Sequence, residues 1–295
     1  MTTIQNHLDF AADNLASVSD SPRLDAEVLL AFVLAKNRSY LRAWNDKKLD
    51  VPIISHFESL ISQRLDGVPI AYLTGTREFW SREFIVSPDV LIPRPDTELL
   101  IELCLAQIPE DSPFKILDLG TGSGAIVVTL AAERPNAKVF AVDASFAALE
   151  IAQKNAHFHE CQNVEFILSD WFSAVPEIEF DLIVSNPPYI SAEDEHLSQG
   201  DVRFEPKTAL IAAENGLRDI KVIATEAKNY LKPHGQLWFE HGYNQAEDVQ
   251  HILTELNYFE VQTYHDLAGQ PRVTTGKFTQ HSFGIKNVDV GRVAA

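Results

Sequence analysis

From Lys115 onward the chain alternates short apolar runs with longer segments whose apolar residues recur every three or four positions. Residues 115–119, 138–142, 164–168, 180–184 and 236–239 predict five strands, with helices after the first, from Ser145 after the second, and over 219–231 before the fifth. Residues 258–264 and 272–278 predict two last strands, close enough in sequence to pair antiparallel. This alternation predicts an α/β fold, a mostly parallel sheet with right-handed crossovers and helices on both faces.

The first 75 residues follow a different rhythm. Leu24, Val28, Leu29, Phe32 and Val33 recur at helical spacing behind Ser21-Pro22, a suitable helix start. Phe57, Leu60, Ile61 and Leu65 share one face of a later segment, and Gly67 and Pro69 break it. A small helical bundle is expected. Residues 83–86 and 90–92, separated by Pro88-Asp89, predict a hairpin between the two parts. A helix over 97–107 follows Pro93-Arg94-Pro95-Asp96. The expected plan is a helical domain (1–75), a β-hairpin linker (76–93), an α/β domain (94–280) and a tail without strong pattern (281–295).

Composition narrows the classes. With 45% hydrophobic and 22% charged residues, a packed core is expected. No apolar run approaches the ~18 residues of a membrane span. The N-terminus lacks a secretory pattern, and two cysteines, Cys104 and Cys161, suit a reduced cytoplasmic setting. Net charge is −18, and it is uneven: residues 1–75 hold 7 basic and 9 acidic residues, residues 76–295 hold 17 and 33. A surface that tracks a phosphate backbone must be basic, so a nucleic-acid partner is not expected. His157-Phe158-His159-Glu160-Cys161 has no second cluster at ligand spacing, so no metal is expected.

Two stretches carry candidate chemistry. Asp118-Leu119-Gly120-Thr121-Gly122-Ser123-Gly124 sits between the first strand and its helix, where glycines allow a sharp turn and close approach to a ligand. Asp143 ends the next strand, placed to accept ribose hydroxyls. Ala125 breaks the dinucleotide pattern, and Asp118 can meet an amino group better than a phosphate. This favours S-adenosylmethionine over a nicotinamide dinucleotide. Asp170-Trp171, after the third strand, can hold an adenine by its amino group and its face. The second stretch, Asn186-Pro187-Pro188-Tyr189, ends the fourth strand with an amide, two rigid residues and a phenol.

In that order these motifs resemble class I S-adenosylmethionine-dependent methyltransferases with a Rossmann-like sheet. The subgroup with Asn-Pro-Pro-Tyr methylates exocyclic or amide nitrogens. Val90 to Glu98, Arg203-Phe204-Glu205-Pro206 with Ala209-Leu210, and Gly67 to Leu73 with Gly75 are more specific. Together they resemble the peptide chain release factor glutamine methyltransferases, the PrmC or HemK family, over about residues 20–278. Ala213-Glu214-Asn215-Gly216-Leu217 departs from the family, which more often has Gly and Asp there. The resemblance implies methyl transfer to N5 of the glutamine in the Gly-Gly-Gln loop of class 1 release factors, and a helical domain that recognises them. The ribosomal protein L3 glutamine methyltransferases share the fold, cofactor and Asn-Pro-Pro-Tyr but lack Arg-Pro-Asp-Thr-Glu. Nucleic-acid adenine or guanine N-methyltransferases also use Asn-Pro-Pro-Tyr, on a flipped-out base.

Expected cofactor residues are Gly120, Thr121, Gly122, Ser123, Gly124, Asp143, Asp170, Trp171 and Asn186. Expected catalytic residues are Asn186, Pro187 and Tyr189, with Pro188 completing the substrate site. The Asn186 side-chain carbonyl and the Pro187 backbone carbonyl would accept the two N–H bonds of the substrate amide, with Tyr189 against its plane.

Overall fold

The computed structural model describes residues 3–279. The tail expected over 281–295, and residue 280 of the α/β domain, lie outside the described residues. Five helices come first: α1 (Ile4–Leu15), α2 (Pro22–Leu34), α3 (Arg38–Ala43), α4 (Val51–Leu65) and α5 (Ile70–Thr74). Ile4, Leu8, Leu15, Leu29, Leu30, Leu41, Phe57 and Leu60 form their common core. Each such side chain contributes ~1.5–3 kcal/mol when fully buried.

The buried face of α2 differs from the expected one. Ala26, Leu29 and Leu30 point inward, whereas Leu24 and Phe32 are 40% and 44% exposed. Two acids disguise this face in the sequence. Asp25 and Glu27 are buried beside the apolar residues, and arginines neutralise them: Arg64 Nε lies 2.9 Å from Asp25, and Arg38 Nη2 lies 2.7 Å from Glu27.

The hairpin also sits earlier than expected. β1 (Thr76–Phe79) pairs antiparallel with β2 (Arg82–Ile85) around Trp80-Ser81, not around Pro88-Asp89. Both turn residues take left-handed backbone, φ 51° and 54°, the geometry that matches strand twist in a two-residue hairpin. Neither residue is Gly or Asn, and three of the four β1 residues are polar, so the pattern carries little strand signal. Residues 86–92 instead run as a connector anchored by Val86, Val90 and Ile92, which pack on Ala148 and Ile151, with Pro88 and Asp89 exposed between them.

The rest is a single sheet. α6 (Thr97–Gln107) leads into β3 (Lys115–Leu119), α7 (Ala125–Glu133), β4 (Lys138–Asp143), α8 (Phe146–Phe158), β5 (Val164–Leu168) and β6 (Phe180–Ser185). After a loop of short 3₁₀ turns come the single turn α9 (Ala213–Gly216), α10 (Arg218–Ala227), β7 (Leu231–Glu240), α11 (Ala246–Glu255), β8 (Phe259–His265) and β9 (Pro271–Lys277). The strand order is β5-β4-β3-β6-β7-β9-β8, all running the same way except β9, which is antiparallel to both its neighbours. Alternate strand residues feed two cores. Ile116 and Leu182 pack with α6 and α7 on one face, Leu117 and Ile183 with α10 and α11 on the other. The order reverses between β3 and β6, and the carboxyl ends beside that point form the ligand crevice of such sheets. Among the described residues no helix is long and apolar enough to cross a membrane.

Buried Asn155 in α8 ties the hairpin to this crevice. Its Oδ1 accepts from the Ile85 amide at 2.7 Å, and its Nδ2 donates to the carbonyls of Ile85 and Ser123 at 2.9 and 2.8 Å. Replacing it with Ala orphans these groups, each worth ~1–3 kcal/mol when buried and unpaired. Asn155→Ala is therefore expected to lose about 2–4 kcal/mol in urea unfolding, against less than ~0.5 kcal/mol for an exposed control such as Lys154→Ala.

Candidate active site

The glycine turn leaves β3 with Gly120, Gly122 and Gly124 all at positive φ (76°, 55° and 81°). The amides of Gly120 and Thr121 both donate to the Val142 carbonyl at 2.9 Å, which docks the turn against the end of β4. Asp143 braces it from the other side. Its Oδ2 accepts from the Gly122 amide at 2.9 Å and its Oδ1 from the Ser145 amide at 2.8 Å. Burial raises the Asp143 carboxyl above its ordinary range, and these amides oppose the shift.

Asp118 is fully buried under the turn. Its Oδ2 accepts from the Thr121 hydroxyl at 2.7 Å, while Oδ1 has no partner among the described residues. Burial pushes its carboxyl up to about 7, with the charge of Asp143 adding to the shift.

A cavity of about 370 Å³ opens over this turn, lined by Gly120, Gly122, Asp143, Asp170, Trp171, Asn186 and Pro188. The Trp171 ring packs over Gly120, 3.6 Å from where a Cβ would stand. Thr121, Ser123 and Gly124 are not part of the wall. They shape the turn: Thr121 through Asp118, Ser123 through Asn155, and Gly124 by starting α7.

β6 delivers Asn186 to the rim of the cavity. Asn186 Nδ2 donates to Thr97 Oγ1 at 3.4 Å, turning the amide N–H inward. Among the described residues no protein donor reaches Asn186 Oδ1 or the Pro187 carbonyl. Pro187 and Tyr189 stand off the cavity wall. The Tyr189 backbone is held by Gln245 Nε2, which donates to its carbonyl at 3.0 Å. Gly216 (φ 86°) packs so closely that a Cβ would lie 2.0 Å from that carbonyl oxygen. Burial raises the Tyr189 phenol well above its ordinary range, with nearby Glu240 adding to the shift.

The segment before α6 laces these parts together. Arg94 Nη2 lies 2.6 Å from Glu205, whose side chain is fully buried. Asp96 meets Arg272 of β9 at 3.2 Å. Thr97 reaches Asn186, and Glu98 accepts from the Trp80 amide at 2.9 Å. The loop after β6 is clipped in turn to the helical domain, with Arg64 on Asp201 at 3.1 Å and Arg203 donating to the Asp66 carbonyl at 3.0 Å.

A family model described as the methyltransferase small domain matches residues 96–204, and one described as the PrmC N-terminal domain matches residues 7–75. A release factor glutamine methyltransferase of Shewanella oneidensis is 49% identical over 275 residues, covering 93% of this chain and 96% of its own length. That of Escherichia coli is 47% identical over 262 residues, 89% of this chain and 94% of its own. The chain belongs to the release factor glutamine methyltransferase family.

Solved structures extend the likeness to the fold. A methyltransferase from Pyrococcus furiosus aligns with a TM-score of 0.51 at 18% identity, over 76% of this chain and 98% of that one. A Thermus thermophilus 16S rRNA methyltransferase in complex with AdoMet and guanosine gives 0.50 at 19% identity, over 68% and 49%. The class I methyltransferase fold expected from the sequence is therefore the one found.

In this family member the cavity wall includes residues that sequence reasoning missed. Asp89, Leu91, Pro206, Thr208 and Asp219 line it. Thr97 and Glu240 lie behind Asn186. Glu240 had a usable signal, because it directly follows a predicted strand, on the ligand side of the sheet. Asp89, Leu91, Pro206 and Thr208 come from connectors, and Thr97 and Asp219 from the first turns of α6 and α10, where periodicity says nothing of a ligand.

The buried acid has a consequence for stability. The Asp118 carboxyl sits near 7 in the folded chain against 3.8 ordinarily, so the fold binds its proton more tightly than the unfolded chain does. That contribution is complete below about pH 4 and is lost as pH rises through about 7. Between pH 5 and pH 8 the Tm of Asp118→Asn is expected to fall less than that of the parent protein, as read by scanning calorimetry.

Proposed function

We propose that the protein transfers the methyl group of S-adenosylmethionine to the side-chain N5 of the glutamine in the Gly-Gly-Gln loop of class 1 release factors, a cytoplasmic modification that tunes translation termination. The observation that carries this reading is the posture of Asn186. Its N–H is tied inward to Thr97, and its carbonyl is left free at the rim of the cavity, one residue ahead of Pro187.

The cavity fits the cofactor. Asp118 has an orphan carboxylate oxygen beneath the glycine turn, suited to the charge of an ammonium group. Asp143 has lone pairs left for ribose hydroxyls. Asp170 and Trp171 offer an acceptor and a flat face to adenine. When bound, S-adenosylmethionine supplies a methyl group activated by its sulfonium.

The difficulty lies with the acceptor. An amide nitrogen shares its lone pair with its own carbonyl and attacks poorly. Asn186 Oδ1 and the Pro187 carbonyl can each take one N–H of the glutamine amide and hold the nitrogen so that its lone pair faces the methyl. Both acceptors are fixed before substrate arrives, Asn186 by Thr97 and the Pro187 carbonyl by its own ring together with the Pro188 ring that follows. Fixed acceptors also stabilise the positive charge that builds on nitrogen, at no cost in reorganisation. The displaced proton passes to water after transfer, so no histidine base is needed.

Arg94, Asp96 and Glu98 act as braces for this arrangement, and the helical domain supplies contact area. Stable recognition of a partner protein takes about 800 Å² per side, more than one glutamine loop presents.

The test is incubation with methyl-labelled S-adenosylmethionine and, separately, a class 1 release factor, ribosomal protein L3 and DNA. Label is expected on the Gly-Gly-Gln glutamine alone; label on either of the other two overturns the reading. Asn186→Ala is expected to lower kcat by roughly 10²-fold or more while calorimetric affinity for the cofactor changes less than about threefold.

A further inference from the structure

We propose that Glu240 is a positioning residue for the transfer: its carboxylate holds the inward N–H of Asn186 and thereby strengthens the outward carbonyl that grips the substrate amide. The inference rests on the reading of Asn186 as an acceptor for a glutamine amide.

The sheet register brings the two residues together. Ser185 of β6 pairs with Phe239 of β7, so Asn186 and Glu240 are the next residues along two adjacent parallel strands. Glu240 is 1% exposed, and its Oε2 has no hydrogen-bond partner among the described residues. The Asn186 amide and the Thr97 hydroxyl, themselves joined at 3.4 Å, are the polar side chains that face its carboxylate and favour its charged form. A fold does not keep a buried, half-satisfied carboxylate for stability, because an apolar side chain of the same size would cost less. Its place directly behind the reacting amide supplies a reason for keeping it.

The effect follows from the chemistry of the amide. A carboxylate that accepts from the Asn186 N–H draws electron density toward Oδ1, and chained hydrogen bonds strengthen one another in a low-dielectric site. Hydrogen bonds to an ionised acceptor are about twice as strong as neutral ones. The carboxylate also fixes which end of the Asn186 amide faces the substrate. A flipped amide would present N–H to N–H and repel the glutamine.

Every neighbour of Glu240 bears on its charge. Asp96 and Thr97 face it from the head of α6, Arg272 from β9, and Asn186 and Tyr189 from the loop after β6. Burial pushes its carboxyl up to about 7, Asp96 adds to the shift, and Thr97, Arg272 and Asn186 oppose it. The active form is the ionised one, so kcat should rise with pH through the titration of this group.

The test compares the parent protein, Glu240→Gln, Asn186→Ala and the double variant, with a release factor as acceptor. Glu240→Gln keeps the shape and removes the charge. It is expected to lower kcat about tenfold or more while cofactor affinity, read by calorimetry, stays within about twofold. Its kcat should also lose the acid limb near neutral pH. In the Asn186→Ala background the same change should have almost no effect, since the group it acts through is gone. Unchanged kcat in Glu240→Gln, or an equal loss in both backgrounds, overturns the proposal. Thr97→Val gives a second line if Glu240→Gln folds poorly: its acid limb should persist, since the carboxylate remains. Inactivity of the parent protein toward release factor would instead overturn the functional reading.

Discussion

The buried ion pair between Arg94 and Glu205 is the contact on which the site depends. The Glu205 side chain is fully removed from water, and its Oε1 also accepts from the Ile92 amide at 3.4 Å. Removing one partner of such a pair leaves an uncompensated buried charge, a loss of about 3–5 kcal/mol. The pair joins the connector ahead of α6 to the loop after β6, and both supply walls of the cavity, Asp89 and Leu91 on one side, Pro206 and Thr208 on the other. Neither wall belongs to the sheet, so the pair adds to the packing of Val90 and Ile92 and to the Arg64–Asp201 contact in fixing their positions.

A second constraint is the placement of acids. Asp118 and Glu240 are buried carboxylates, each with an unpaired oxygen, at the ends of β3 and β7. They flank the stretch of sheet edge that carries Asn186. Both cost stability when ionised, and both raise negative potential where a sulfonium donor and a nitrogen gaining positive charge would sit. The acidic balance of residues 76–295 is thus partly a property of the site and not only of the solvated surface.

The helical domain is coupled to this machinery by packing of Ala71 and Tyr72 on the connector and by two arginines. Arg64 is shared between Asp25 of its own bundle and Asp201 of the loop, at 2.9 and 3.1 Å. Arg203 reaches back to the Asp66 carbonyl. The loop that walls the cavity therefore rests on the bundle at one end and on Glu205 at the other.

What the sequence determined by itself is the succession of strands and helices along the α/β part, the glycine turn and the rigid end of β6. All three are local. A period of two or of 3.6, a glycine where φ must be positive, and a pair of prolines state their geometry without reference to anything distant. The α2 face and the hairpin were misread because their signals depend on partners: Asp25 and Glu27 can be buried only where arginines from other helices meet them, and Trp80-Ser81 turns without glycine. The roles of Arg94 to Glu98 and the partner of Glu240 were likewise hidden, since each is defined by a residue well away in the chain, 18 positions for Glu98 with Trp80 and 111 for Arg94 with Glu205. Only the tertiary structure decides such pairs, because a carboxylate or an amide has no function of its own until the fold chooses what stands opposite it.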